Sequence, residues 1–464
     1  MRIEHDFLGE RELADDVYYG VQTLRGRENF HITGIPISHA TSFIVAFAHV
    51  KKAAALANKD LGVIEPDVAD AICGACDRIA AGELHNQFIV DVIQGGAGTS
   101  TNMNANEVIA NLALEILGHP KGTYDIVHPN NHVNCSQSTN DAYPTAFRLS
   151  LYTEIGKLIT ALGFLRDSFA RKGQEFSDII KMGRTQLQDA VPMTLGQEFD
   201  SFAVNIGEDL RRLEEARALV TEVNLGATAI GTSINAPEGY PPLAVKYLAE
   251  VSGVPVTLSQ NLIEATWDNG AYVQMSGVLK RVAVKLSKIC NDLRLLSSGP
   301  RCGFNEINLP PLQPGSSIMP GKVNPVIPEV VNQVCFLVIG NDVTVTFAAE
   351  AGQLQLNVME PVLAYCLFQS IETLERACTT LRLRCVDGIT ANAERTRSMV
   401  LNSVGIVTAL NPILGYETSA EIAKEAFETG GSVIDIVRAK GLLSDEKIDE
   451  IFSLENLMHP RFIR

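Results

Sequence analysis

Apolar residues separated alternately by four and three positions run through one stretch of this chain: Met275, Leu279, Val282, Leu286, Ile289, Leu293 and Leu296. That spacing puts all of them on one stripe of an α-helix; a strand, whose side chains alternate between two faces, cannot gather them. A second seam, Leu367, Ile371, Leu374, Cys378, Leu381 and Cys385, keeps the same rhythm. Three further segments, beginning TAFRLSLYTE at 145, TLGQEFDSFA at 194 and PVIPEVVNQV at 325, read as long helices. Seams of this kind belong to helices lying side by side at shallow crossing angles. The fold is therefore expected to be mainly α, with five long helices in a central bundle. Val273, Val278 and Val284 sit off the first stripe, so a second face calls for burial and points to oligomerisation through the bundle.

At 464 residues the chain is long for one core. Three domains are expected: a mixed, mostly helical N-terminal domain 1–140, the bundle 141–390, and a small C-terminal helical domain 391–464. A short strand pair is expected near Val17–Tyr19, and the segment from Ile37 reads as a helix ending at Gly62. TSAE (418–421) has the pattern of a capping box opening a C-terminal helix. The 38 basic and 54 acidic residues leave a net charge of −16, which argues against nucleic acid or an anionic membrane as partner. The nine cysteines are scattered and odd in number, as in a reduced, cytoplasmic protein. Cys73 and Cys76 form one C-x-x-C, but no second pair follows, so they read as helix packing rather than a metal or redox site. The start, MRIEHDFLGER, has no apolar leader, and no uninterrupted apolar run of about 18 residues is present to span a bilayer.

Chemistry concentrates in a few polar segments. Residues 299–325 hold six of the 20 prolines and four glycines between two helices of the bundle, and a structureless connection of that length is usually functional. At its end, GSSIMPGKVNP (315–325) joins glycines that let backbone N–H groups converge on an anion, the compact charge of Lys322, and the neutral donor Asn324. With amides and a lysine to stabilise its alkoxide, Ser316 can act as a base without a histidine beside it. No histidine lies from 133 to 458, which argues against a Ser-His-Asp triad built from the bundle. GGAGTSTNMN (95–104) runs a glycine-rich turn into Thr99, Ser100 and Thr101, with a helix expected from Asn104. It lacks the Gly-Lys-Ser/Thr of a phosphate loop. CSQSTNDAYPT (135–145) sets Ser138, Thr139 and Asn140 at the mouth of the next helix, and MGRTQLQDAVPMTLGQEF (182–199) sets Thr185 and Gln186 ahead of another.

At these segments the chain resembles the aspartase/fumarase superfamily over nearly its whole length. GSSIMPGKVNP looks like the signature loop of that superfamily, and GGAGTSTNMN, HPNNHVNCSQSTND and GRTQLQDA match its other motifs in order. The resemblance, closest to the ammonia-lyase branch, implies a carbon–nitrogen lyase interconverting L-aspartate with fumarate and ammonia. It also implies a homotetramer in which four bundles form a twenty-helix core and three subunits build each site. By the same resemblance Ser316 removes the Cβ proton through an aci-carboxylate intermediate. Thr99, Ser138, Thr139 and Ser317 hold the β-carboxylate, Lys322 and Asn324 the α-carboxylate, and Asn140, Thr185 and Gln186 surround the amino group. His128, with Asn130 and Asn131, falls at a secondary anion site of related fumarases and is not taken as catalytic. No cofactor is required on this reading; a divalent cation such as magnesium activates some members, but no ligand cluster in the sequence identifies a metal site.

Two positions depart from the fumarase pattern. Gln186 stands where fumarases usually have a histidine, and Ala97-Gly98-Thr99 where they have Ser-Gly-Thr. Hydroxide leaves only if it is protonated on departure, so a dehydratase needs an acid there. An ammonium already carries its proton and departs as neutral ammonia, so glutamine suffices for amine loss. Glu329, which matches the glutamate that pairs with that histidine, is left without its usual partner.

Overall fold

Both seams are buried from end to end: the seven residues from Met275 to Leu296 are at most 5% exposed, and the six from Leu367 to Cys385 at most 1%. They lie on the helices Gly270–Leu296 and Glu360–Arg384, with Cys385 just past the end of the second. The other expected long helices are Thr139–Glu175, Leu195–Leu219 and Val326–Glu350. Of the off-stripe valines, Val278 is buried and Val273 and Val284 are exposed. The computed structural model describes residues 1–459, with sixteen α-helices and four two-stranded sheets among them. Residues 460–464 of the expected C-terminal segment lie outside the described residues. The chain divides into two compact units, the first of 1–160, 211–283 and 336–375, the second of 161–210, 284–335 and 376 onward.

In the first unit a buried carboxylate starts a helix. Glu107, on the helix Thr99–Ile116, accepts from the backbone N–H groups of Gly20, Gln22 and Thr23 and from the Thr23 hydroxyl, at 2.6–3.0 Å. Those are the otherwise unpaired donors at the start of the helix Val21–Asn29, where a negative charge is favoured. Phe43, Phe47, Tyr143, Phe147 and Phe368 form an aromatic cluster with centroids 5.0–6.3 Å apart. The helix Thr41–Asp60 packs against Pro66–Ala80, which carries Cys73 and Cys76 as buried free thiols. Burial pushes Cys73 up to about 11 and raises Cys76 as well, the behaviour of packing residues rather than reactive thiolates.

The strand pair expected near Val17–Tyr19 lies earlier, where Arg2–Asp6 pairs antiparallel with Gly9–Leu13. The Arg2 guanidinium takes up the carbonyls of Ala14, Val17 and Tyr19 at 2.8–2.9 Å, so a side chain satisfies acceptors that a neighbouring strand would otherwise need. TSAE does not open a helix either. It lies inside Asn411–Thr429, which begins earlier and is interrupted at Gly415 (φ 76°, ψ 167°). The helix Val326–Glu350 is long and apolar enough, by length and composition, to cross a membrane. Counting uninterrupted apolar runs overlooks it because Glu329, Asn332, Asn341 and Asp342 punctuate it. Asp342 accepts from the Ser276 hydroxyl at 2.8 Å and from Lys280 at 2.6 Å, partners supplied by the helix Gly270–Leu296.

The second unit contains a hairpin that the sequence reading missed, Ile180–Thr185 against Gln188–Thr194, with an irregularity between Met182 and Arg184. Ile180 and Met182 join an apolar cluster with Val400, Ile406, Leu410, Ile422, Val437 and Ile451 from the C-terminal helices. Lys181 and, past the irregularity, Arg184 anchor the same strand by charge. Lys181, 2% exposed, pairs with Glu198 and lies 2.9 Å from Glu306, which is fully buried. Arg184 reaches the other Glu306 oxygen at 2.5 Å, its guanidinium 4.2 Å from the Phe304 ring centroid. Removing one member of such a cluster leaves buried charge uncompensated. Glu306→Ala should therefore cost about 3–5 kcal/mol in urea unfolding; a loss under about 1 kcal/mol, the scale of surface pairs, would contradict the anchoring role.

Candidate active site

Thr99 opens its helix directly, ahead of the expected start at Asn104. Gly96, Ala97 and Gly98 all have left-handed backbones (φ 87°, 56° and 87°), and this turn delivers the chain to the helix. A Cβ on Gly98 would lie 2.2 Å from the Tyr143 ring, so the turn sits tightly against the helix Thr139–Glu175. The Thr99 hydroxyl is exposed and donates to the Gly96 carbonyl at 2.7 Å.

Ser138, Thr139 and Asn140 stand at the mouth of that helix, half-buried, as expected. The buried Asp141 carboxylate accepts from the backbone N–H groups of Ser138 at 2.9 Å, Gly226 at 3.0 Å and Thr228 at 2.9 Å. Burial nevertheless pushes it up to about 6. On the other side of the segment Lys51, with no exposed surface, donates to Asn102 Oδ1 at 2.7 Å, Asn134 Oδ1 at 3.0 Å and Gln137 Oε1 at 2.9 Å. Burial pushes Lys51 down to about 7, while the negative charge of Asp141 acts the other way. The three amide oxygens can accept together only from an ammonium, since a neutral amine has two N–H donors. Asn140 donates to the Ala229 carbonyl at 2.8 Å and accepts at its own carbonyl from Asn224 at 3.1 Å. Nearby, His128 Nδ1 accepts from the N–H groups of Asn130 and Asn131 at 3.0 and 3.2 Å, and burial lowers its affinity for a second proton.

In the second unit Thr185 ends a strand, and Gln186 and Leu187 form the hairpin tip with φ 55° and 63°. All three are exposed. The signature loop is tied by its own backbone. Gly315 N–H donates to the Lys322 carbonyl at 2.6 Å, and Asn324 Nδ2 to the Gly315 carbonyl at 2.7 Å. A Cβ on Gly315 would meet that Lys322 oxygen at 2.7 Å, so the closure requires glycine. Inside it the half-buried Ser316 Oγ accepts from the N–H groups of Ile318 at 3.1 Å and Met319 at 3.0 Å. Two such donors stabilise an alkoxide over a hydroxyl. Ser317 and Lys322 are exposed; Glu329 lies in the first turn of the following helix. Among the described residues no group of three or more His, Cys, Asp or Glu side chains is placed to hold a metal ion.

The polar segments expected from the sequence lie at helix starts, a hairpin tip and a loop, and the structure adds supports that no motif marks. Lys51, Asn102 and Asp141 were not singled out. The available signal was polar residues on buried stripes: Lys51 shares the helical face of Phe47, Ala54 and Asn58, all buried.

The profile of the family described as Lyase matches residues 9–340, and that described as Fumarase C C-terminus matches 406–459. The chain belongs to this lyase family, within the aspartase/fumarase superfamily. Among curated relatives, the aspartate ammonia-lyase of Helicobacter pylori (strain J99) is 61% identical over 460 residues, 99% of this chain and 98% of that one. Those of Pseudomonas aeruginosa and Escherichia coli K12 are 61% and 59% identical over 463 residues, 100% of this chain and 98% and 97% of theirs. A crystal structure described as fumarate lyase:delta crystallin from Brucella melitensis bound to cobalt superposes with a TM-score of 0.96 at 56% identity, covering 98% of both chains. The class II fumarase of Schistosoma mansoni superposes at 0.93 with 34% identity, covering 99% of both.

The Gly98 turn can be tested by itself. Gly98→Ala forces an L residue into the left-handed region, at about 1–2 kcal/mol, and drives a methyl into the Tyr143 ring. Denaturant unfolding should report a loss of at least about 2 kcal/mol; an unchanged midpoint would contradict the fit.

Proposed function

We propose that this chain is an aspartate ammonia-lyase that reversibly eliminates ammonia from L-aspartate to give fumarate. Full-length identity of about 60% to enzymes of that name supports the assignment, against 34% to a fumarase. The observation that carries the chemistry is the signature loop, where two backbone N–H groups converge on Ser316 Oγ. Ser316, as the alkoxide, takes a proton from the substrate's Cβ. The electron pair moves into the β-carboxylate, giving an aci form with two negative charges on one carboxylate. That pair then forms the double bond while nitrogen keeps the electrons of the C–N bond and leaves as neutral ammonia.

The barrier is the extra charge on the β-carboxylate, and catalysis means meeting it with preorganised donors. Ser138, Thr139 and Ser317 are the proposed donors there, joined by Thr99 once substrate draws its hydroxyl proton from the Gly96 carbonyl. Lys322 and Asn324 hold the α-carboxylate, and Asn140, Thr185 and Gln186 face the amino group. Gln186 hydrogen-bonds the ammonium without acting as an acid, which suits amine loss. Small dicarboxylates are thus the partners, with no required cofactor and magnesium at most an activator. Exposed Phe336, Val343 and Phe347 on the helix Val326–Glu350 and Val284 on Gly270–Leu296 support a homotetramer with sites shared between copies. A cytoplasmic location and the three-domain division at 140 and 390 belong to the same reading.

Purified protein should produce fumarate, followed by ultraviolet absorbance, from L-aspartate and not from malate; the opposite pattern would make it a fumarase. Ser316→Ala should lower turnover by about 10²–10⁴-fold, the contribution of a general base, while dicarboxylate inhibition stays within a few-fold. Near-normal ammonia release by that variant would remove Ser316 from the chemistry.

A further inference from the structure

A lysine side chain hydrogen-bonding at three places has only donors to offer. The amides of Asn102, Asn134 and Gln137 therefore all turn oxygen toward Lys51, as the contacts at 2.7, 3.0 and 2.9 Å record. With its oxygen committed, Asn102 must present its NH₂ group on the other side. There it meets Asn134 Oδ1 at 3.0 Å and Thr139 Oγ1 at 3.2 Å. Asn134 is held in the same sense by a second donor, Asn106 Nδ2, at 3.1 Å. No member can be reversed without setting two acceptors or two donors face to face.

The consequence falls on Thr139. Its hydroxyl has one proton and two lone pairs, and the Asn102 N–H occupies one lone pair. Among the described residues no acceptor takes the Thr139 proton, which is free to point toward an anion. We propose that Lys51 and Asn102 are positioning residues of the lyase reaction. Together they form a one-way donor relay that aims the Thr139 proton at the substrate carboxylate and places the lysine charge behind it. This rests on the reading of Thr139 as a carboxylate ligand. It explains why a lysine is buried among amides: a neutral residue there would let Asn102 turn over and face Thr139 with its oxygen, drawing the proton inward.

A double-mutant cycle tests the relay with succinate, an unreactive dicarboxylate, as the equilibrium ligand and L-aspartate for kcat/KM. Thr139→Val should weaken succinate binding about 10-fold or more, the scale of a hydrogen bond to a charged group. Asn102→Ala should lower succinate affinity and kcat/KM by about 10-fold when Thr139 is present, yet by less than about 2-fold when combined with Thr139→Val, because contacting residues couple. Equal effects of Asn102→Ala with and without Thr139→Val would mean a merely structural role and overturn the relay. No effect of Thr139→Val on succinate would instead overturn the reading of Thr139 as a ligand. Should Asn102→Ala not fold, neutron diffraction from deuterated wild-type protein decides. Deuterons of Asn102 Nδ2 directed at Thr139 Oγ1 support the relay, and a Thr139 deuteron directed at Asn102 contradicts it.

Discussion

Two buried charges of opposite sign grip the segment 134–141. Asp141 collects three backbone N–H groups, and Lys51 three amide oxygens. They attract one another without forming an ion pair, so each also depends on neutral dipoles to replace the water it has lost. A buried charge is tolerable only when its hydrogen-bonding capacity is filled, and each filled position fixes one more group of the surrounding backbone or side chains. What this rigidity yields is a row of polar side chains, Ser138, Thr139 and Asn140, held at the start of the longest helix with their own supports already settled. Anion binding by neutral donors needs that, because hydroxyls are worth little as ligands unless their protons are aimed beforehand.

The signature loop solves the opposite problem. It has no buried ion to organise it and relies on its own backbone, tied between Gly315, Lys322 and Asn324. Proline and glycine suit such a closure because they give up backbone freedom or tolerate close approach more readily than other residues. The product is a hydroxyl oxygen whose acceptor sites are taken by two N–H groups, the local environment a serine needs to carry negative charge. On the proposed reading, these are the donors and the base that proton abstraction beside a carboxylate requires.

Much of this was legible in the sequence. The seams at Met275–Leu296 and Leu367–Cys385 announced long buried helices because a stripe of spacing three and four has one structural solution. The polar segments announced themselves through glycine, hydroxyl and amide density. What stayed hidden depended on partners distant in the chain. The hairpin at 180–194 was missed because its tip is Gln186-Leu187 rather than Asn-Gly, and its alternation is broken near Gly183. Arg2 consumed the carbonyls that would have invited a strand at Val17–Tyr19. Lys51 carries no mark of its role in the sequence, since the amides that enclose it lie 51–86 positions further along the chain.

The central claim is that Ser316, held by two backbone amides, is the group that reaches the substrate's Cβ hydrogen. A crystal structure of the protein with succinate bound tests it most directly. The account predicts Ser316 Oγ within about 3–3.5 Å of the methylene carbon next to the carboxylate held by the Thr139 row, the separation of reacting atoms poised for transfer. A bound dicarboxylate whose methylene carbons lie beyond reach of Ser316 would contradict it.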